Sequence, residues 1–553
     1  MKKICTVALA LAAYTVLPAA YGQSTIPDIP GAIQAEDYVA YYDSDPGNNG
    51  PSTYRAGDDV DIEYGAGAVN GNNVGWIAAG EWLEFTVNVT TSANYEVRYR
   101  VASLNGGPFT IQMKVDGLLT DTVSFNGTAG WHNWINVVSP TPFALDSGTH
   151  TVRLDFLSTE FNIDEFEFTL VGGPVDTNVP PYLDPTNSVT VRVDDLMSRM
   201  SLDEKIGQMT QAEKGSVTPA GVAASYMGSV LSGGGGGPSS NVPVEWANMI
   251  DAYQAQALTT PLKIPILYGI DAVHGHNNVY GAVMFPHNIG LGATRNPELI
   301  RRAAEVTAAE VLATGAHWTF APCIAVARNE AWGRTYEGFA EIPDLAAELG
   351  AAAIIGYQGT DLLNSSSNII ATAKHFAGDG GTEDGIDQGN TILDEATFRE
   401  LHVDPYIDAI EAGAKTIMVS YSSWNGVKMH GHQYMLTDVL KEEMGFEGFL
   451  ISDWAGVDQV SGNYYDAVVQ SINAGMDMVM VPYDYANFIN TLKSAVAAND
   501  VSMDRIDDAV RRILTVKFES GLFENPYAQR DLLSEVGSTA HREVARQIGR
   551  AHV

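Results

Sequence analysis

The hydrophobic pattern changes its grammar once along the chain. From about Ile29 to Leu170, short segments alternate apolar and polar residues, as in Trp82-Leu83-Glu84-Phe85-Thr86-Val87-Asn88-Val89 and Tyr95-Glu96-Val97-Arg98-Tyr99-Arg100-Val101. Gly, Asn and Pro break these segments apart. A period of two sends successive side chains to opposite faces, which suits strands with one face in a core and the other in water. A run of such strands predicts an all-β domain, a jelly-roll-like sandwich over residues 27–171.

Residues 172–188 have linker composition, with Gly172-Gly173-Pro174 and Val179-Pro180-Pro181. Beyond them, Ser201-Leu202-Asp203-Glu204 is a helix-start capping box. Short continuous apolar runs then recur between helical stretches: Ile266 to Ile270, Trp318 to Pro322, Ile369 to Ala373, Thr416 to Ser420, Phe449 to Ser452 and Met478 to Val481. Continuous rather than alternating runs suit strands buried on both faces, and their alternation with helices predicts a (β/α)8-type TIM barrel over residues 189–527. The Gly233 to Gly237 run lies directly after Met227-Gly228-Ser229-Val230-Leu231 and is expected to be a loop within that barrel.

Length adds that one core is too few for 553 residues. Charge adds an exclusion: 67 Asp and Glu against 31 Lys and Arg give a net charge of −36, which argues against nucleic acid or an anionic membrane surface as partner. The opening residues MKKICTVALALAAYTVLPAAYG combine two lysines, an apolar run and small residues near Ala20 and Gly22. That layout predicts a signal peptide over residues 1–22, hence a secreted or periplasmic protein without stable membrane insertion. Cys5 leaves with this segment, so Cys323 stands alone, and in its apolar surroundings it is read as filler.

Candidate chemistry sits at the ends of the apolar runs, where a barrel builds its active face. Asp271 follows Ile266 to Ile270, Lys374 and His375 follow Ile369 to Ala373, Tyr421 follows Ser420, and Asp453 and Trp454 follow Ser452. Carboxylates and cations hydrogen-bond hydroxyl groups, and an aromatic ring covers the flat face of a pyranose, so the set suits a sugar. Asp453 is the candidate attacker, with Lys374 or Arg334 expected to hold its pKa down.

At these residues the chain resembles glycoside hydrolase family 3, the β-glucosidases and exo-β-glucanases. The resemblance rests on Tyr268-Gly269-Ile270-Asp271-Ala272-Val273-His274-Gly275, Gly333-Arg334-Thr335-Tyr336-Glu337, Lys374-His375-Phe376-Ala377-Gly378-Asp379-Gly380-Gly381-Thr382, Ser420-Tyr421-Ser422-Ser423-Trp424-Asn425-Gly426 and Ser452-Asp453-Trp454. It implies a retaining, exo-acting β-glucosidase or exo-β-1,3(1,4)-glucanase that forms a covalent glycosyl-enzyme on Asp453 and needs no cofactor for catalysis. It also implies that Asp271, Arg334, Lys374, His375 and Tyr421 hold the nonreducing terminal glucose of a β-glucan or β-gluco-oligosaccharide, with Trp454 against its ring. Asp379-Gly380-Gly381 stands where relatives that release N-acetylglucosamine carry a catalytic His, which points to the glucosidase branch. Gly338 and Ile342 depart from the Ser and Asp expected after Tyr336-Glu337 and bear on the support of Arg334.

The β-rich region resembles the family 6 carbohydrate-binding module through Ile33-Gln34-Ala35-Glu36-Asp37-Tyr38, Gly80-Glu81-Trp82-Leu83-Glu84-Phe85 and Asn162-Ile163-Asp164-Glu165-Phe166. That resemblance implies that Trp76 and Trp131 sandwich a sugar ring with Asn162 as hydrogen-bond partner. It implies that Glu36 and Asp164 ligate a structural Ca²⁺.

A retaining glycosidase needs a second carboxyl group within about 5–5.5 Å of the nucleophile. In the glucosidase branch that Glu usually lies on an α/β domain after the barrel, so the acid/base is expected outside this chain, with residues 528–547 starting the connection. Residues 548–553 are expected to be an artefactual tail. Glu383, Asp384 and Asp387 remain unassigned. The alternative reading is a non-catalytic protein that binds β-glucan; a β-xylosidase would keep the mechanism and change the pocket.

Overall fold

The computed structural model describes residues 26–174, 180–234, 236–359, 362 and 367–551. The expected signal peptide lies outside the described residues, as do residues 175–179 of the expected linker. The chain divides into two compact units between Pro180 and Pro181.

In the first unit the alternating segments form two mainly antiparallel sheets. One has the order Asp28–Ile29, Trp82–Val89, Gly148–Phe156, Phe109–Val115, Leu118–Phe125, with Ala40–Tyr42 also paired to Trp82–Val89. The other has the order Gly130–Val138, Ala93–Ser103, Asn162–Pro174, Asn72–Val74, Ile62–Tyr64, with Phe143–Leu145 and Gly31–Gln34 at its sides. Leu83, Phe85, Val87 and Val89 are buried while the residues between them are half-buried, as the period of two requires. Opposing side chains from both sheets merge in one core, where the rings of Phe85 and Phe166 meet edge to face at 4.9 Å.

The second unit is built on eight parallel strands in chain order: β1 Thr210–Glu213, β2 Ser229–Ser232, β3 Leu267–Ile270, β4 Trp318–Thr319, β5 Thr372–Phe376, β6 Thr416–Val419, β7 Phe449–Ile451 and β8 Val479–Met480. Ladders join β8 to β1, β1 through to β4, and β5 through to β7. Single parallel bridges, Trp318 to Ile370 and Ile451 to Met478, span the two seams and make the arrangement barrel-like. Most of these strands are buried at every position, and in β3, β6 and β7 that burial reads as a mainly apolar run. Inside the ring, Trp318 packs edge to face on Phe320 and Phe449 and donates its indole N–H to Thr372 Oγ1 at 2.7 Å and Thr416 Oγ1 at 3.1 Å.

Ser201 and Glu204 form the expected capping box. The opposite end of the ring from the strand C-termini is tied by Lys517, from the helix Met503–Glu519, whose ammonium donates to Gln208 Oε1, Gly228 O and Pro265 O at 2.6, 2.9 and 2.7 Å. The final helix runs Thr539–Ala551 and buries Val544 and Ile548.

β1 and β2 are not among the apolar runs of the sequence: Thr210, Gln211 and Ser229 are polar and buried, each with a side-chain hydrogen bond. One sequence expectation shifts. Lys374 and His375 lie within β5 rather than after it. The ladder to β6 shifts register between Lys374 and Phe376, and such a bulge lets consecutive residues serve the same side of a sheet.

The ring of Phe166 bridges the two sheets of the first unit. Phe166→Ala is expected to destabilise that unit by about 3–5 kcal/mol. In hydrogen exchange of the intact chain, amides of Asn162–Pro174 lose protection first, and those of β1–β8, which close over a separate core, keep theirs.

Candidate active site

The residues expected to meet at the strand C-termini do so. Arg334 precedes a short turn, Thr335–Glu337, in the loop after β4. Its guanidinium makes a two-pronged contact with Glu337, Nε to Oε1 at 2.9 Å and Nη2 to Oε2 at 3.0 Å, and Nη2 also donates to His375 Nε2 at 2.8 Å. Glu337 therefore supplies the support that the departures at Gly338 and Ile342 had put in question.

Since Arg334 only donates, His375 Nε2 must accept, and the ring proton sits on Nδ1, which faces Asp379 Oδ2 at 2.8 Å. Burial, together with Arg334, Lys374 and His430, holds the His375 pKa well below its usual value, so the imidazole is neutral. Asp379 is pushed up to about 7 by burial, against the pull of Arg334.

Lys374 is buried and donates to Asp271 Oδ1 at 3.2 Å. Burial works against its charge, but Asp271 and Glu337 outweigh that and raise its pKa. Asp271, one residue past β3, keeps half of its side chain exposed. These groups line a cavity of about 290 Å³ with Val273, His274, His287 and Tyr336.

Asp453 is two residues past β7 and buried. Its Oδ1 accepts the backbone N–H of Trp454 at 2.6 Å, while Oδ2 is buried with no hydrogen-bond partner, 3.6 Å from His375 Nε2. Burial raises its pKa above the ordinary carboxylate value; Arg334, the Trp454 N–H and Lys374 pull the other way without winning. This corrects the sequence expectation that the cations would hold it down, because desolvation is invisible in sequence spacing.

Tyr421 donates its hydroxyl to Trp454 O at 2.5 Å and so clips β6 to the turn after β7. Trp454 is half-buried and meets Tyr483 edge to face at 5.6 Å. Its ring lies over Gly233, where a Cβ would come within 2.7 Å of it. The glycine run after β2 thus begins as a recess for this indole.

Sequence reasoning missed three groups. Glu337 stood in a quoted motif, three residues from Arg334, without a role. Asp379 was noted only for its position in the loop after Lys374-His375. His430, buried, accepts the Asp453 backbone N–H at 3.0 Å, and nothing in its local sequence signals that. Among the unassigned acids, Asp387 Oδ1 accepts the Trp332 indole N–H at 3.3 Å.

In the first unit, Trp76 is 54% exposed and Trp131 38%, so neither fills the sandwich core. Asn162 is buried beside them, donating to Trp131 O at 3.0 Å and to Glu63 Oε1 at 2.6 Å. A Cβ on Gly75, next to Trp76, would lie 3.1 Å from Asn162 Oδ1, so the three residues gather at one edge.

Glu36 and Asp164 are both fully buried. Glu36 Oε1 accepts from Asn70 at 2.5 Å and Oε2 has no hydrogen-bond partner; burial pushes its pKa up to about 7. An orphaned, desolvated oxygen fits a cation. Asp164 already pairs with Arg100, which supplies a positive charge there. Among the described residues, a group of three carboxylates close enough together to share one ion is Asp43, Asp45 and Glu81, none of which the sequence reading took for a ligand.

Comparison with known proteins bears on the family to which the chain belongs. Residues 201–516 match the Glycosyl hydrolase family 3 N terminal domain, and residues 51–170 match the Carbohydrate binding module (family 6). The lysosomal β-glucosidase of Dictyostelium discoideum is 37% identical over 64% of this chain and 47% of its own length. The periplasmic β-glucosidase of Salmonella typhimurium is 30% identical over 65% of this chain and 47% of its own length. Among solved structures, the exo-1,3/1,4-β-glucanase of a Pseudoalteromonas species is 41% identical with a TM-score of 0.63, over 66% of this chain and 47% of that one. The Listeria innocua β-glucosidase in complex with glucose is 31% identical with a TM-score of 0.59, over 66% of this chain and 51% of that one. The chain spans about half the length of the curated relatives it matches. A family match over more than half of the chain, on the elements that carry the site, establishes that it belongs to glycosyl hydrolase family 3.

Proposed function

We propose that the protein is a retaining β-glucosidase or exo-β-1,3(1,4)-glucanase acting on nonreducing β-glucosyl ends, with Asp453 as nucleophile. The single observation that carries this reading is the Oδ2 of Asp453: buried, without a hydrogen-bond partner, and ringed by Arg334, His375 and Lys374. Oδ1 is occupied by the Trp454 N–H, so one oxygen is held and the other is left to attack. The substrates in the names of the relatives, β-glucosides and 1,3/1,4-β-glucan, support the glucosyl assignment.

In the proposed step, Oδ2 bonds to the anomeric carbon and the bond from that carbon to the glycosidic oxygen breaks, its electron pair leaving with the aglycone. Water then attacks the same carbon, the carbon–Oδ2 bond breaks to return the carboxylate, and the proton that water releases balances the one the aglycone oxygen takes up. Asp271, Lys374, Arg334, His375 and Tyr421 hold the sugar hydroxyls, and Trp454 covers its ring. The barrel-like ring is read as a (β/α)8 barrel whose fifth strand and βα loops carry these groups. The first unit is read as a sugar-binding module that clamps a ring between Trp76 and Trp131 over Asn162. An exported location fits the periplasmic relatives, and among the described residues no helix is long and apolar enough to cross a membrane.

A structural Ca²⁺ at Glu36, with Asp164 as second ligand, would neutralise the orphaned oxygen. A carboxyl raised from 4.5 to about 7 stays protonated in the fold while the unfolded chain ionises, so its contribution to stability falls as pH rises through that window.

Three outcomes are expected. With an activated aryl β-glucoside, whose leaving group needs no proton, the chain gives a burst of phenol that Asp453→Ala slows by about 10⁴-fold or more; an equal burst in the variant would refute the assignment. Gly233→Val forces the Trp454 indole aside and weakens glucose binding about 5- to 10-fold by calorimetry. Saturating Ca²⁺ at about 100 times its Kd stabilises the first unit by about 2.7 kcal/mol at pH 7 and does little at pH 4.5, where Glu36 is protonated; Glu36→Gln abolishes the response.

A further inference from the structure

We propose that His430 is a positioning residue for the nucleophile, acting through the backbone of Asp453 and only as a neutral imidazole with its proton on Nδ1. The proposal rests on the reading of Asp453 given above.

His430 lies in the short turn Met429–Gly431, which follows β6 by way of the two-stranded hairpin Ser423–Trp424 and Val427–Lys428. It touches none of the groups assigned to the sugar through its polar atoms. Its ring is buried, and Nε2 accepts the N–H of Asp453 at 3.0 Å. That N–H can only donate, so Nε2 carries no proton and Nδ1 does. The backbone of Ser420, the residue after β6, hydrogen-bonds to the same ring. One imidazole therefore spans the ends of β6 and β7.

The ring also packs against the turn that carries the nucleophile. A Cβ on Gly456 would stand 2.4 Å from His430 Nε2, so glycine is needed there for the ring to approach. Gly456 N in turn donates to Asp453 O at 2.9 Å. The Asp453 main chain is thus fixed at its N–H by His430 and at its carbonyl by the Gly456 N–H and the Ser452 hydroxyl, the latter at 3.1 Å, and its side chain at Oδ1 by Trp454. What remains free is Oδ2, and its direction is set by these four contacts. Losing the first leaves a buried N–H without an acceptor and frees the Ser452–Asp453 peptide to rotate. A displacement of the nucleophile by about 1 Å is worth about 10²-fold in rate.

Charged neighbours favour the required state. Burial and the Lys428 ammonium hold His430 down to about 3, opposed by the Ser420 backbone, and Arg334, Lys374 and the neutral His375 face the same pocket. Protonating Nε2 would set one donor against another at Asp453 N.

The test uses the full chain and follows the burst from an activated aryl β-glucoside together with glucose affinity by calorimetry. His430→Leu keeps the bulk and removes the acceptor; His430→Gln restores an acceptor near Nε2. The expected result is a burst about 10²-fold slower in His430→Leu, glucose affinity within about threefold of the parent, and recovery of about tenfold or more in His430→Gln. Circular dichroism checks that both variants fold. A burst as fast as the parent's in His430→Leu overturns the proposal. So does a slowed burst accompanied by lost glucose binding and no recovery in His430→Gln, which marks a merely structural residue. Asp453→Asn run alongside separates the two readings: if the parent shows no burst, or Asp453→Asn shows the same one, the nucleophile assignment itself falls and this proposal with it.

Discussion

Everything in the candidate site answers to one constraint, the burial of the Asp453 carboxylate. A carboxylate taken out of water must be offset by charge or by hydrogen bonds, or it takes up a proton. Arg334 is the chief offset, and its own burial is offset by Glu337. His375 can sit between guanidinium and carboxylate only because it is neutral, and its tautomer follows from Arg334 on one side and Asp379 on the other. Lys374 adds a second positive charge that Asp271 balances from the rim. A change at any member of this set redistributes charge over all the others, so effects of substitutions here will not add.

Much of the architecture was legible because the two units bury their strands differently. A sheet with one wet face writes an alternating pattern, seen from Trp82 to Val89, and a strand enclosed on both faces writes a continuous one, seen from Phe449 to Ile451. β1 escaped because Thr210 and Gln211 are polar yet buried, each donating a side-chain hydrogen bond inside the protein, which looks from sequence like exposure. The site was legible where residues follow strands directly, as Asp271 and Asp453 do. Lys374 and His375 were placed one element too late, since a register shift leaves no mark in composition. His430 reaches Asp453 from 23 positions away, and no local pattern encodes such a contact.

The N-terminal unit shows the same limit in another form. Trp76 and Trp131 were named from the resemblance alone, and Asn162 meets them by a hydrogen bond to Trp131 O and a close approach to Gly75 that spacing could not reveal. The ionic balance around Glu36 and Asp164 was harder to foresee, because Arg100 comes from a neighbouring strand and competes for one of the two carboxylates.

The tie at the far end of the ring bears on how the molecule comes into being. Lys517 gathers carbonyls and an amide from Gln208, Gly228 and Pro265, all near the start of the ring, yet it belongs to Met503–Glu519, the second helix after β8. A ribosome delivers residue 208 some 300 positions before residue 517, so while β1 to β3 wait on the nascent chain, their floor is missing and those acceptors face solvent. The ring is therefore a structure completed by a helix made after all of its strands, whereas the β-rich unit, contained before Pro181, has every partner it needs early in synthesis.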